Sequence, residues 1–308
     1  MPSSSTPGLS AKTAPCISVI IPCYNRAQTV RAAVDSVLAQ TWPNFSVIAV
    51  DDNSTDATLE VLKSIDDPRL RVVQNPGPRG PSAGRNYGVS LADSPWIAFQ
   101  DSDDLWRPER LARQMAEVGK TGAAFAYCGM VVKNDITPES PVLRRYPGPE
   151  ITHKSGDILP SLVRDSFIST QMILMQRDLF HQAGGFDPDL PALVDWDLCL
   201  RTAQLAPVAF VDEDLVIQRF TDNSITRAPR KRTRALAQIL NKHHALFARY
   251  PGVLAHHYQT LAGALRRQGN YPAAAEQGFA AWRAEPTPKR LALALYTKTR
   301  AFLTRPRT

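Results

Sequence analysis

Three carboxylates crowd into four positions where Asp101-Ser102-Asp103-Asp104 follows the apolar run Trp96-Ile97-Ala98-Phe99. Ionised side chains this close repel one another, and a cation among them relieves that cost. Carboxylate oxygens suit a hard divalent ion, Mg²⁺ or Mn²⁺, which keeps positions for water and phosphate. From these residues alone, an acidic loop that merely follows a strand is the alternative. A second cluster, Asp51-Asp52-Asn53-Ser54-Thr55-Asp56, closes another apolar run.

Each cluster needs an element to hold it. Apolar runs at 17–22, 45–50, 70–73 and 96–99 predict four short strands, the first stopping at Pro22. Between them, Val30, Ala33, Val34, Val37 and Leu38 recur at helical spacing within 28–40. Thr55 or Asp56 can cap a helix reaching Ser64, and another helix starts near Ser82, after the Gly- and Pro-rich loop 75–84. This alternation predicts a parallel sheet with helices on both faces, whose ligands bind beyond the carboxyl ends of the strands. Asp51-Asp52 and the 101–104 turn both sit at such ends and so share one rim. Further along, the pattern predicts helices at 108–118, 178–183 and 195–203, and strands at 124–132, 172–175, 208–211 and 215–218. Residues 133–157 read as irregular.

Composition limits the alternatives. Hydrophobic residues make up 44% and charged residues 21% of 308 positions, the balance of a globular protein. No apolar run is long enough to span a membrane. Residues 1–15, rich in Ser, Thr and Pro, read as a disordered leader without a signal-peptide core, which predicts a cytoplasmic protein. Cys16, Cys23, Cys128 and Cys199 have neither zinc spacing nor disulfide density. Charge is split: after Ile225, sixteen Lys and Arg face only Glu276 and Glu285, a balance of +14, so the preceding residues carry −7 of the net +7.

Five motifs occur in order: Ser18-Val19-Ile20-Ile21-Pro22-Cys23-Tyr24-Asn25; the Val50 to Asp56 cluster; Ala83-Gly84-Arg85-Asn86-Tyr87-Gly88; Asp101-Ser102-Asp103-Asp104; and Gly184-Gly185-Phe186-Asp187 ahead of Asp195-Trp196-Asp197-Leu198. With them, residues 16–226 resemble a family-2 inverting glycosyltransferase of the GT-A fold, a Rossmann-like mixed sheet flanked by helices. The resemblance implies a nucleotide-sugar donor whose leaving diphosphate is neutralised by a carboxylate-held Mn²⁺ or Mg²⁺. It makes Asp103 the direct metal ligand and sets Asp101 toward the ribose or, through water, the ion, with Ser102 on the nucleotide side of that turn. Asp52 would accept from a nucleobase N–H, which favours uracil. Tyr24 would stack near the base, Pro22 would offer backbone contact, and Arg85 would reach the base or the diphosphate. Packing at a strand end is the simpler role for Tyr24, and a solvated helix charge that for Arg85.

Inversion requires one general base for the acceptor hydroxyl. The resemblance assigns it to Asp195, with Asp197 the competitor, whose simpler role is capping or pairing with Arg201 one turn later. Two positions depart from the family pattern. Val194 stands where a Glu is usual, and Thr221 stands where many relatives carry a His. The second departure leaves the ion to Asp103, the diphosphate and water, or to Asp222, and predicts weaker metal affinity than in a His-containing relative. A catalytically silent nucleotide-sugar or glycan-binding scaffold is the rival function.

Residues 227–308 read as a basic, all-helical region. Leu236, Ile239, Leu240, His243, Leu246, Phe247 and Tyr250 share one helical face, and three helices follow within 253–268, 272–284 and 288–303. The stretch from Gln268 to Ala275 resembles one tetratricopeptide-type hairpin. This region could cap the catalytic domain, contact an anionic membrane at its inner face, or recognise an acidic partner. No motif supports nucleic-acid binding. The pairs His243-His244 and His256-His257 lack acidic or Cys companions and read as packing or surface residues.

Overall fold

A computed structural model of the protein describes residues 16–135, 137, 139–220 and 228–303. The leader, Thr221 and Asp222 lie outside these residues. The first four strands are β1 (Ile17–Cys23), β2 (Phe45–Asp51), β3 (Leu70–Gln74) and β4 (Trp96–Phe99). They are parallel, with Ile17 level with Phe45 on one side and Trp96 on the other. β1 and β4 are buried along their whole length, as near-continuous apolar runs require when both faces are covered. The connections are α1 (Val30–Leu38), α2 (Thr58–Lys63) and α3 (Pro81–Ser90). α3 lies close against β1 and β2 because Gly88 has no side chain: a Cβ there would collide with Ile20 and come within 3.2 Å of Val50.

Beyond β4 the chain continues through β5 (Leu105–Trp106), α4 (Arg110–Thr121), β6 (Phe125–Lys133), β7 (Val142–Tyr146), α5 (Leu159–Leu162) and β8 (Ile173–Gln176). It then forms α6 (Arg177–Gln182), α7 (Val194–Thr202) and β9 (Val208–Arg219). The strand order is β3-β2-β1-β4-β8-β6-β9-β5, with β7 paired to β6. The parallel sheet that alternation suggested is formed by the first four strands. β8 runs antiparallel to both β4 and β6, and β5 antiparallel to β9, which gives a mixed sheet. The segment 133–157 contains β7, and 208–218 forms one strand with a bulge at Asp212-Glu213. Gly129 faces that bulge, where a Cβ would come within 2.7 Å of the Glu213 carbonyl.

The described residues fall into two compact units. The first holds the sheet; the second groups the described residues of 222–308 with 163–165 and 189–194. In the second unit α8 (Pro229–Lys242) and α9 (His244–Phe247) precede α10 (Pro251–Arg267), α11 (Tyr271–Ala284) and α12 (Pro288–Leu303). α10 packs on α8 and α11, and α11 on α12. Its core includes Ile239, Leu240, Phe247, Leu254, Leu261, Ala274 and Ala281. His257 is buried there: its Nε2–H donates to the Val163 carbonyl at 2.7 Å and its ring meets Phe247 edge-on.

Candidate active site

Parallel β1, β2 and β4 end on one rim, and the loops that leave them are braced together. After β1 the chain turns at Asn25, whose φ of 52° is left-handed, a conformation Asn tolerates. The Asn25 amide donates to Ser54 Oγ (3.1 Å), and the Thr55 amide donates to Asn25 Oδ1 (2.8 Å). The Arg26 amide donates to Thr58 Oγ1 (2.7 Å) and the Ala27 amide to Asp56 (3.1 Å). Asp56 is therefore scaffold. The Thr58 hydroxyl, first among several donors, holds its carboxyl below the usual carboxylate range. Pro22 is buried in β1 opposite Val50, whereas Tyr24 is 45% exposed and presents a ring at the rim.

Asp52 is buried at the end of β2. Its Oδ1 accepts from Asn75 Nδ2 and its Oδ2 from the Gly80 amide, both at 2.7 Å. Gly80 has a φ of 129°, open to glycine but strained for other residues. The carboxylate thus also shapes the loop before α3, while each oxygen keeps a further lone pair for a donor.

The turn after β4 divides its carboxylates. Asp101 Oδ1 accepts from Arg85 Nη2 at 2.5 Å, and Arg85, buried on α3, sets its guanidinium 5.4 Å from the centre of the Phe186 ring. Asp103 pairs with Arg26 Nε at 3.3 Å. Burial and then the charge of Asp101 push the Asp103 carboxyl up, against the opposing pull of Arg26. Ser102 enters through its backbone carbonyl, which accepts from Thr29 Oγ1 at 2.9 Å. Asp104 is buried and turned to other work: it accepts from Gln171 Nε2 (2.8 Å) and from the Arg219 amide (3.0 Å).

α7 brings the remaining acids. Arg201 donates to buried Asp197 through Nε (3.1 Å) and Nη2 (2.6 Å), and also to the carbonyls of Gly185 (2.7 Å) and Ala183. Asp197 therefore anchors the helix to the left-handed Gly184-Gly185 turn. Asp195, in the first turn of α7, is partly exposed, and its Oδ1 accepts from the Trp196 amide at 2.8 Å. The following Phe186 is clamped by Asn86, which accepts from the Phe186 amide (3.0 Å) and donates to its carbonyl (2.8 Å). A chain of contacts thus links the helix of Asp195 to the 101–104 turn, through Arg201, Gly185, Phe186, Asn86 and Arg85.

Sequence reasoning gave no role to Asn75, Gly80, Asn86, Gln171 or the Arg26 side chain. Asn86 lay within a motif, and Arg26 stands three residues past the end of β1. Gln171 carried no local signal, because its partner is 67 positions away.

Among the described residues, no group of three or more His, Cys, Asp or Glu side chains could hold a metal ion. A divalent ion at this rim would have Asp101 and Asp103 and would take its other oxygens from substrate and water. The two carboxylates fit that demand, since the charge of Asp101 disfavours ionised Asp103 and a cation relieves this.

The sequence matches the profile of "Glycosyl transferase family 2" over residues 18–184. It is 33% identical over 166 residues to the succinoglycan biosynthesis protein ExoO of Rhizobium meliloti, covering 54% of this chain and 45% of that protein. It is 34% identical over 119 residues to the Escherichia coli UDP-Glc:alpha-D-GlcNAc-diphosphoundecaprenol beta-1,3-glucosyltransferase WfaP, covering 39% and 47%. The chain spans about half the length of these curated relatives. Among solved structures, residues 1–349 of S. aureus TarS in complex with UDP-GlcNAc align with a TM-score of 0.67 at 18% identity, covering 92% of this chain and 87% of that one. The mannosyltransferase PcManGT of Pyrobaculum calidifontis, in complex with GDP-Man and Mn²⁺, aligns at 0.61 and 20% identity, covering 99% and 85%. The profile covers more than half of the sequence and the sheet has the GT-A arrangement, so this chain belongs to glycosyl transferase family 2.

Proposed function

We propose that the protein is an inverting glycosyltransferase of surface polysaccharide synthesis, moving a sugar from a UDP-sugar to a hydroxyl of a glycan or lipid-linked acceptor on the cytoplasmic side. The observation that carries this reading is the rim itself. Asp52 closes β2, and Asp101 and Asp103 follow β4, in a chain of this family. The UDP-GlcNAc bound by TarS and the UDP-Glc in the name of WfaP support uridine.

In this reading the spare lone pairs of Asp52 accept the N–H of the base, and the exposed ring of Tyr24 stacks beside it. Arg85 fixes Asp101 and lies within reach of the nucleotide. Asp101 and Asp103 would hold Mg²⁺ or Mn²⁺, which would supply charge neutralisation for the leaving diphosphate. Asp195 takes the proton of the acceptor hydroxyl as its oxygen bonds to the anomeric carbon from the face opposite the diphosphate. The bond to the diphosphate breaks, nucleoside diphosphate leaves, and the configuration inverts.

Release of UDP from a panel of UDP-sugars with Mn²⁺ and acceptor tests this reading. Asp195→Asn should lose transfer by at least about a hundredfold while still binding UDP. Full transfer by Asp195→Asn would overturn the base assignment, and nucleotide binding without turnover of any donor would favour the scaffold.

A further inference from the structure

α12 shows different chemistry on its two sides. Ala294, Thr297 and Ala301 are buried. Contact with α11 is close there, since a Cβ added at Gly278 would come within 3.3 Å of Ala294. On the opposite side large apolar groups face outward: Leu295 is 49% exposed, Tyr296 58%, Phe302 75% and Leu303 70%. At 3.6 residues per turn these four, with Ala292 and Thr299, fall in one sector of roughly 120°. Lys298 borders that sector on one side, and Lys289 and Arg300 border it on the other. The helix has no acidic residue.

The outer side of α12 has the pattern of a helix lying in a membrane interface, with apolar side chains in the middle and Lys and Arg stems at its borders. No described helix is long and apolar enough to cross a bilayer, so the helix would lie on the surface. Charge argues against a second copy of this chain, because the same cations would meet across the interface. It favours an anionic bilayer, as does the +14 balance of the sequence after Ile225.

We propose that the outer face of α12 docks the protein on an anionic lipid surface, with Leu295, Tyr296, Phe302 and Leu303 inserted among the headgroups and Lys289 and Lys298 against lipid phosphates. Docking of this face is independent of the donor and the reaction. Its test is flotation of the full chain with vesicles of phosphatidylcholine alone or with about one-third phosphatidylglycerol.

Binding should require the anionic lipid and weaken with salt. The double variant Leu295→Ser/Phe302→Ser should lose affinity at least about tenfold, with an unchanged circular dichroism spectrum and melting temperature. Lys289→Glu/Lys298→Glu should lose affinity for anionic vesicles only. Failure of the unaltered chain to float with anionic vesicles would overturn the proposal, as would equal binding by the Leu295→Ser/Phe302→Ser variant. Sedimentation showing a dimer that this variant dissociates would assign the face to a second copy instead.

Discussion

Asp103 and Asp104 are adjacent, yet their surroundings assign them different work. Asp104 is buried, and the Gln171 amide and the Arg219 N–H both donate to it. Burial, followed by the charges of Asp101 and Asp103, pushes its carboxyl well up. Removing it leaves the buried Gln171 amide and the part-buried Arg219 N–H without this acceptor, so Asp104→Ala should cost about 1–3 kcal/mol in urea unfolding. Asp103 is at the rim in a partly exposed pair with Arg26, an interaction that contributes little to folding. Asp103→Ala should therefore leave the unfolding midpoint nearly unchanged while weakening Mn²⁺ binding measured with UDP present. Equal destabilisation by the two variants would show that this division of roles is wrong.

At the scale of elements, the site depends on how closely α3 approaches β1 and β2, since α3 carries Arg85 and Asn86 to the rim. Gly88 permits that approach. Alanine normally favours a helix by about 1 kcal/mol over glycine, but here its methyl would meet Ile20 and Val50. Overpacking should win, with Gly88→Ala destabilising by about 1–3 kcal/mol and loosening the Arg85–Asp101 pair. Thermal melting and UDP affinity would both register it, and a more stable variant would refute the packing argument. The sequence made β1 to β4 legible because buried parallel strands are continuous apolar runs, and it made the rim legible because both acid clusters end such runs. It did not reveal β7, whose Val142-Leu143-Arg144-Arg145 is exposed and lacks a two-residue alternation. It split β9 at Asp212-Glu213-Asp214, where in fact Asp212-Glu213 bulge and Asp214 pairs with Gly129. Nor could it show which acid of the 101–104 turn faces inward, because Gln171 and Arg219 settle that from 67 and 115 positions away.

Across the whole molecule, the path of the chain sets cooperativity. The second unit takes in 163–165 and 189–194, and the first unit's residues flank both segments on either side. Melting of the second unit releases two segments that interrupt the first, so the protein should unfold in one calorimetric transition, although separable domains usually unfold apart. His257 gives this a pH signature. Burial lowers its pKa from the ordinary 6.5 and the neighbouring His256 adds to that, while the bond to Val163 and the charge of Asp165 oppose it. Below pH 6.5 the unfolded chain takes up a proton that folded His257 resists, so the unfolded state binds more protons and stability falls as pH falls. His257→Gln keeps a donor for the Val163 carbonyl but removes the titration. Between about pH 7.5 and 5.5, its melting temperature should fall less than that of the unaltered protein. Because unfolding is coupled, the difference should shift the whole transition, including the fluorescence of Trp106 and Trp196 in the first unit. Identical pH slopes would contradict the role of His257, and two transitions with only one sensitive to the substitution would contradict the coupling.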